Sequence, residues 1–392
     1  MTGAVRVEGR GRTLLPGLID CHVHLGGGDG APPWAAKVPN VDAQAAALLF
    51  AGVTTILSAA LDSDTRDLQA RIARGALAGP RIIGSSRSFT AEGGHPVPFF
   101  KSLLPWPVSS AIVRGRVVQV AGEATARAQV AAEIADTDPR FVKIMYDDIP
   151  PGTPHLTFGQ LKAIIAEVRD RGRRASVHVG SVQDALEAVE AGAALLMHLP
   201  GDDLLTEAQA RALVASGVPM VTTLRIYQVL SAAMQRGLSF TALEREVMPP
   251  GAAGQFQQPP PGYQVPGFPP GYLESFPARD AQLRANAKLL LSLGARLVAG
   301  TDSGLPAVFH GAALHRELQA LVALGVPPAR ALRMATADAA QVLEPGADFG
   351  TIVPGQRADL LLVEGDPLAD IAATERIAGV WQDGRAVARQ RP

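Results

Sequence analysis

The chain repeats one hydrophobic pattern along most of its length. Short, continuous apolar runs alternate with longer alanine- and leucine-rich stretches in which apolar residues recur with helical period. This alternation is typical of βα units that build a parallel sheet. The runs predicted as strands are residues 18–22, 53–57, 81–84, 141–145, 175–179, 194–199, 219–224 and 297–301. Eight such strands predict an α/β fold in the form of a (β/α)8 TIM barrel.

Both ends of the chain carry further β-rich segments. They are residues 5–8, 12–15, 350–355, 358–364 and 377–383. Because these segments lie outside the repeated βα pattern, we expect them to pair with one another. The sequence therefore predicts a small β-sandwich domain made of residues 1–16 and 346–392, with the barrel spanning residues 17–345.

Two long stretches fit no barrel element. Residues 89–120 form an excursion between the third and fourth predicted strands, and residues 248–277 are crowded with proline and glycine. Loops of this length are usually functional lids or disordered segments. The second stretch carries Phe256, Tyr263, Phe268 and Tyr272. An aromatic lid and a flexible insertion are both open for this segment.

Composition limits the classes of function. The 392 residues include 47% hydrophobic and only 19% charged residues, which indicates a large buried core. A net charge of -1 gives no basic surface for nucleic acid, and no apolar run is long enough for a membrane helix. We expect a small-molecule substrate and a cytoplasmic enzyme, or an exported one if a signal lies upstream of this chain. The oligomeric state, including a homo-oligomer, is open.

Candidate metal ligands begin with His22 and His24. Residues i and i+2 of a strand point to the same side, so the two imidazoles can converge on one cation. Further ligand-type residues follow at or near the ends of later predicted strands, namely Lys143, His178, His198 and Asp302. Side chains at the carboxyl ends of barrel strands meet at one pocket.

Lys143 is the unusual member of this set. An ammonium group cannot ligate a cation, so the lysine fits only as a neutral amine that has taken up carbon dioxide. The resulting carbamate has two oxygens that can bridge two metal ions. The alternative is a buried lysine paired with an acid.

The ordered set of motifs resembles the amidohydrolase superfamily along nearly the whole chain. The motifs are Pro16-Gly17-Leu18-Ile19-Asp20-Cys21-His22-Val23-His24, Ala51-Gly52-Val53-Thr54-Thr55, Phe141-Val142-Lys143-Ile144, Val177-His178, Met197-His198, Gly300-Thr301-Asp302-Ser303-Gly304 and Gly355-Gln356-Arg357-Ala358-Asp359-Leu360. A lysine at the end of the fourth strand resembles the branch with imidazolonepropionase-related hydrolases and prolidase-like Xaa-Pro and Xaa-Arg dipeptidases.

This resemblance implies a barrel that holds two divalent metal ions, most often Zn²⁺. His22, His24 and Asp302 would hold one ion and His178 and His198 the other, with carboxylated Lys143 and a hydroxide between them. The two ions lower the pKa of the water, and Asp302 would act as the catalytic group that takes and returns its proton.

Four further residues are candidates for contact with the substrate. His95, in Glu92-Gly93-Gly94-His95, resembles a turn that helps polarise the substrate carbonyl in the dipeptidase-like branch, although Pro96 departs from that pattern. Tyr146, Arg225 and Tyr227 could bind a substrate carboxylate, since phenol and guanidinium groups pair with oxyanions. Arginine in a structural ion pair is the alternative.

Three functions are compatible with these residues. The first is a binuclear amidohydrolase that cleaves an amide or peptide bond in a dipeptide or N-acyl amino acid. The second is a lactonase, a phosphotriesterase or a cyclic-amidine hydrolase, because the same metal centre activates water for each. The third is a non-catalytic barrel scaffold, which the complete ligand set disfavours.

Overall fold

The computed structural model describes residues 6–35, 38–60, 62–234 and 237–391. Its strands are β1 (Arg12–Pro16), β2 (Leu18–Val23), β3 (Val53–Ser58), β4 (Arg81–Gly84), β5 (Ser88–Ala91), β6 (Val117–Val120), β7 (Phe141–Tyr146), β8 (Arg174–Val179), β9 (Leu195–Met197), β10 (Met220–Val221), β11 (Leu297–Val298), β12 (Leu360–Glu364), β13 (Ile377–Gln382) and β14 (Arg385–Ala386).

Helices separate most of the parallel strands. They are α1 (Val41–Phe50), α2 (Ser63–Ala73), α3 (Val97–Leu103), α4 (Val108–Arg116), α5 (Glu123–Thr137), α6 (Phe158–Asp170), α7 (Val182–Ala191), α8 (Glu207–Ala215), α9 (Leu224–Met234), α10 (Ala242–Val247), α11 (Ala252–Phe256), α12 (Phe276–Ser292), α13 (Ala312–Ala323), α14 (Pro328–Met334) and α15 (Ala337–Leu343). Short 3-10 turns occur at Pro33–Ala35, Leu273–Ser275 and Ile371–Glu375.

Local sequence explains where several helices begin. The side chains of Thr157, Ser181 and Thr206 each accept a hydrogen bond from the backbone amide three residues later. The side chain of that later residue in turn accepts a hydrogen bond from the backbone amide of the capping residue. These reciprocal caps satisfy backbone groups that a helix start otherwise leaves open. The helices therefore start directly after the loops that follow β7, β8 and β9.

The parallel strands form two sheets, and hydrogen bonds join both edges of the smaller sheet to the larger one. One has the order β11-β10-β9-β8-β7-β5-β6 and the other β2-β3-β4. At one edge, the Ser86 amide bonds to the Phe141 carbonyl at 2.9 Å; at the other, the Cys21 amide bonds to the Ala299 carbonyl at 3.0 Å. Strands β2, β3 and β7 are buried at every residue, as expected for parallel strands covered on both faces. An α/β fold is confirmed.

The strand predictions were wrong in four places within this part of the fold. Two of these are 194–199 and 297–301, where the strands span only Leu195–Met197 and Leu297–Val298. The 89–120 excursion contains β6 and most of β5, which pair in parallel and extend the larger sheet beyond β7. The predicted strand 219–224 is cut short because Leu224 already begins α9. The 89–120 excursion therefore contains an ordered pair of parallel strands, one near its start and one at its end.

The two chain ends form a separate antiparallel sheet of order β1-β12-β13-β14. Arg12 lies opposite Glu364 and Pro16 opposite Leu360. Of the predicted strand 5–8, residue 5 lies outside the described part and residues 6–8 form no strand. Residues 350–355 also form no strand, because Gly350 and Gly355 adopt positive φ. The sandwich and the domain boundaries stay predictions.

The aromatic residues of the 248–277 insertion contact other loops. The Phe268 ring centroid lies 6.1 Å from that of Phe99, and the Tyr263 centroid lies 5.0 Å from that of Trp34. The insertion therefore packs against the loop after β2 and against α3. Among the described helices, none is both long and apolar enough to cross a membrane.

Candidate metal centre

Five imidazoles lie in a row across the pocket. The ring centroids of His24 and His22 are 5.1 Å apart, those of His22 and His198 4.7 Å, and those of His198 and His178 4.4 Å. His95 follows at 5.4 Å from His178. These residues come from separate strands or the loops that follow them, as expected where parallel strands end together.

One end of the row forms a compact three-residue group. The Nε2 atoms of His22 and His24 are 3.2 Å apart, and the Asp302 Oδ1 lies 3.4 Å and 2.8 Å from them, respectively. Despite this approach, Oδ1 has no hydrogen-bond partner of suitable geometry in the described part of the chain. Two ring nitrogens and a carboxylate oxygen that converge in this way fit a divalent cation.

Asp20 holds the two segments that carry this group. Its carboxylate accepts hydrogen bonds from the His22 amide at 3.1 Å, the Thr301 amide at 3.0 Å and the Thr301 hydroxyl at 2.6 Å. Gly300 allows the close approach, because a Cβ there would lie 3.0 Å from the His22 amide nitrogen. Sequence reasoning missed Asp20, although its i−2 spacing from His22 places it on the same face of β2.

His198 is held in a strained but defined position. It directly follows β9 with φ 76°, and its Nδ1 shares a 2.7 Å hydrogen bond with the Thr223 hydroxyl. Thr223 and Asp302 also have positive φ, at 42° and 62°. Such conformations cost energy for residues with a Cβ and cluster at functional sites. The bond to Thr223 leaves Nε2 as the His198 ligand atom.

Lys143 lies buried in β7, with 1% of its surface exposed. Its Nζ has no hydrogen-bond partner among the described residues. Burial lowers the pKa of Lys143 to about 8, against the opposing charges of Asp302 and Asp147. A buried ammonium without a partner is costly, so the site increases the fraction of Lys143 that is a neutral amine. The amine is the form that can take up carbon dioxide.

Burial also keeps the ligand imidazoles neutral. It lowers the pKa of His198 to about 3 and holds the pKa values of His22 and His178 well below their usual range, with the Lys143 charge contributing to each. A histidine must be neutral to bind a metal ion, so this state is the one that ligation requires.

Among the residues that the structure describes, no third His, Cys, Asp or Glu completes a ligand group with both His178 and His198. Instead, the ligand atoms of His178, His95 and Asp147 lie within 4.8 Å of one another. Sequence reasoning missed Asp147. The signal was present, because Lys143, Met145 and Asp147 alternate along the strand and its extension and therefore share one face.

Two predicted substrate contacts do not reach this cluster. The Tyr146 hydroxyl donates to the Glu187 carboxylate, and the Arg225 guanidinium is buried and bonds to Glu244 at 2.9 Å. A substrate role for Tyr146 and Arg225 therefore has no support from the geometry. Arg225 follows the alternative, a structural ion pair.

Tyr227 lies closer to the pocket. A Cβ added to Gly201, three residues after His198, would lie 3.2 Å from the Tyr227 hydroxyl. Glycine at this position therefore leaves room for the hydroxyl. Burial and the nearby Asp202 carboxylate raise the pKa of Tyr227, so its hydroxyl keeps its proton and can donate.

Comparison with known proteins identifies the family. The amidohydrolase family model matches residues 13–387. The chain belongs to the amidohydrolase family. Ochratoxinase from Aspergillus niger is 23% identical over 401 residues, which cover 95% of this chain and 75% of the relative. Family membership and these relatives support a hydrolase that acts on carbon–nitrogen bonds.

Two solved structures share the fold at low sequence identity. A prolidase complexed with N-methylphosphonate-L-proline is 24% identical with a TM-score of 0.76, covering 100% of this chain and 90% of that one. A Xaa-Pro dipeptidase with bound methionine is 22% identical with a TM-score of 0.76, covering 96% and 87%. The amidohydrolase resemblance is confirmed, and these neighbours fit its prolidase-like branch.

Proposed function

We propose that the protein is a metal-dependent hydrolase that cleaves an amide or peptide bond in a small substrate, such as a dipeptide or an N-acyl amino acid. The observation that carries the proposal is the convergence of His22, His24 and Asp302 beside His198 and His178, in a chain of the amidohydrolase family. Lys143 is buried in the same region and its Nζ has no hydrogen-bond partner in the described ranges.

The donor set fits two divalent ions. His22, His24 and Asp302 would hold the first ion, and His178 and His198 the second. Lys143 would join them after its neutral amine adds to the carbon of carbon dioxide and loses a proton, which gives a carbamate with two oxygens. Imidazole and carboxylate ligands suit Zn²⁺. Such ions supply Lewis acidity and lower the pKa of water at the site.

The protein's own residues would manage the proton and the substrate. The Asp302 carboxylate would take a proton from the attacking water and return it to the leaving amine. His95 lies at the other end of the row of imidazoles, where it would meet the substrate. The Tyr227 hydroxyl would donate to a substrate oxygen.

The relatives support the choice of substrate class. The solved neighbours include a prolidase with an L-proline derivative bound and a Xaa-Pro dipeptidase with methionine bound. Both ligands are small and carry an amino-acid unit. We therefore place dipeptides with a C-terminal proline first among the candidate substrates.

We also propose that the two parallel sheets form one closed barrel of β2, β3, β4, β7, β8, β9, β10 and β11. The hydrogen bonds that join the two edges of the smaller sheet to β7 and to Ala299, just after β11, support closure. In this arrangement residues 17–345 form the catalytic domain and residues 1–16 with 346–392 the smaller β domain.

A substrate screen tests the proposal. Zinc-loaded and chelator-treated protein would be assayed against Xaa-Pro dipeptides, N-acyl amino acids, lactones and phosphotriesters, with Asp302→Asn as the inactive control. We expect amide turnover only in the metal-loaded wild type. Turnover of esters alone would contradict the proposed amide cleavage and would favour lactonase or phosphotriesterase activity. Protein that binds far less than two equivalents of metal would contradict the metal centre.

A further inference from the structure

Asp147 places a buried carboxylate between two imidazoles of the site. Its Oδ2 lies 2.7 Å from the Nδ1 of His95 and 3.5 Å from the Nε2 of His178. Only 1% of the Asp147 side chain is exposed, and its Oδ1 has no hydrogen-bond partner within the described ranges. Asp147 is therefore hydrogen-bonded to His95, whereas its longer contact to His178 is not a hydrogen bond.

The backbone fixes both partners of the short contact. Asp147 is the first residue after β7, so its direction follows from a strand that is buried throughout. His95 ends a tight turn in which a Cβ on Gly94 would lie 2.7 Å from the Pro154 carbonyl oxygen. The amide of Gly93 also donates to the Gln119 side chain at 2.8 Å. Two separately anchored loops thus meet at one hydrogen bond.

This hydrogen bond sets the chemistry of His95. A carboxylate accepts, so the Nδ1 of His95 must carry the hydrogen and the ring is held in one orientation. The Nε2 atom is then the nitrogen that remains for the substrate. A carboxylate that orients a histidine in this way is a recurrent device in hydrolytic and metal sites.

We propose that Asp147 is a positioning residue for His95, which it holds with Nε2 presented to the substrate. The inference rests on the proposed hydrolase function and goes beyond it, because it adds a residue outside the expected ligand set. Asp147 would act through His95 and would neither touch the substrate nor ligate a metal ion.

A double-mutant cycle tests this coupling. We expect Asp147→Ala to lower kcat/KM about 10- to 100-fold, as for other outer-shell partners. Asp147→Asn should lose less, because its amide oxygen still accepts the Nδ1 hydrogen. In a His95→Ala background, Asp147→Ala should cost at most about twofold more, since the partner is already gone. Asp148→Asn, at the exposed neighbour, is the matched control and should leave kcat/KM unchanged.

Two outcomes of these assays would overturn the proposal. One is an equal fold-loss from Asp147→Ala with and without His95, which would mean that the two residues act independently. The other is an Asp147→Asn variant as impaired as Asp147→Ala, which would show that the charge matters and the acceptor does not. If the alanine variant does not fold, the asparagine variant and its own cycle with His95→Ala still decide.

A second measurement does not depend on catalysis. Nitrogen-15 NMR of histidine-labelled, zinc-loaded protein reports which ring nitrogen carries hydrogen, and the His95 signals are assigned by their loss in His95→Gln. We expect the Nδ1–H tautomer in the wild type and a mixture in Asp147→Ala. An unchanged His95 tautomer with a loss of bound zinc would show that Asp147 supports His178 instead, and would refute the proposal. If no amide is hydrolysed, the proposed function fails, whereas this spectrum still tests the contact.

Discussion

The proposed uptake of carbon dioxide by Lys143 should depend on pH in a way that follows from the burial of this lysine. Only the neutral amine reacts with carbon dioxide, so the rate of carbamate formation follows the neutral fraction of the lysine. Burial moves the pKa of Lys143 from 10.5 down to about 8. The rate in metal-free protein should therefore rise with pH up to about 8 and then level off.

The size of the effect follows from the two pKa values. At pH 7, an amine with a pKa of about 8 is neutral in about one molecule in ten, whereas at 10.5 it is neutral in about one in 3,000. Burial thus increases the reactive fraction about 300-fold at neutral pH. Below pH 8, each unit of pH should change the rate about tenfold.

Carbon-13 NMR provides the assay. Metal-free protein would be exposed to labelled carbon dioxide at constant dissolved gas concentration, from pH 6 to pH 10, and the carbamate resonance followed over time. Lys143→Met should abolish the resonance. Lys162→Met is the matched control, because Lys162 is exposed on α6, and it should leave the resonance unchanged.

Two results would refute this reasoning. A rate that keeps rising from pH 8 to pH 10 would mean that the reactive amine has the pKa of an exposed lysine. A resonance that survives in Lys143→Met would place the carbamate elsewhere. In either case Lys143 would not be the lysine that takes up carbon dioxide.

Three further predictions concern the metal and the long insertion. Chelation should lower the Tm, and added zinc should restore it in a concentration-dependent way, because a ligand of the native state stabilises that state; a Tm unaffected by both would contradict a resident metal. Thr223→Val should weaken zinc binding about 10- to 100-fold in a competition titration, because His198 loses its orienting partner; unchanged affinity would remove that role. Phe268→Ala should raise KM more than it lowers kcat, since it breaks the contact to Phe99; an unaltered KM would argue against a lid over the substrate.

The sequence predicted most of the parallel strands because their burial requires a recognisable pattern of apolar residues. Strands covered on both faces need continuous apolar runs, and β2, β3 and β7 show them. The pair β5 and β6 was missed for the opposite reason. Each has only four residues, and each lies inside an excursion that also contains two short helices. Length and local composition alone cannot separate such strands from a loop.

In the candidate site, too, some residues could be predicted from the sequence and others could not. His22, His24 and Asp302 were found because strand periodicity and the ends of parallel strands predict where side chains converge. Asp147 follows the same periodicity, but the sequence interpretation selected its neighbour Tyr146 instead. Arg225 was assigned from its chemical type alone, and only the three-dimensional structure reveals that Glu244 already occupies its guanidinium.

The pairing of β1 with β12 has a consequence for how the protein matures during synthesis. Strand β1 is separated from β2, which carries His22, by Gly17 alone, and the Gly17 amide bonds to the Asp359 carbonyl at 2.8 Å. Residues 359–364 are synthesised more than 340 residues after β1, so β1 has no partner strand until they have left the ribosome. Final anchoring of the first ligand-bearing strand therefore waits for β12, and a nascent chain stalled before residue 359 should expose that edge to chaperones.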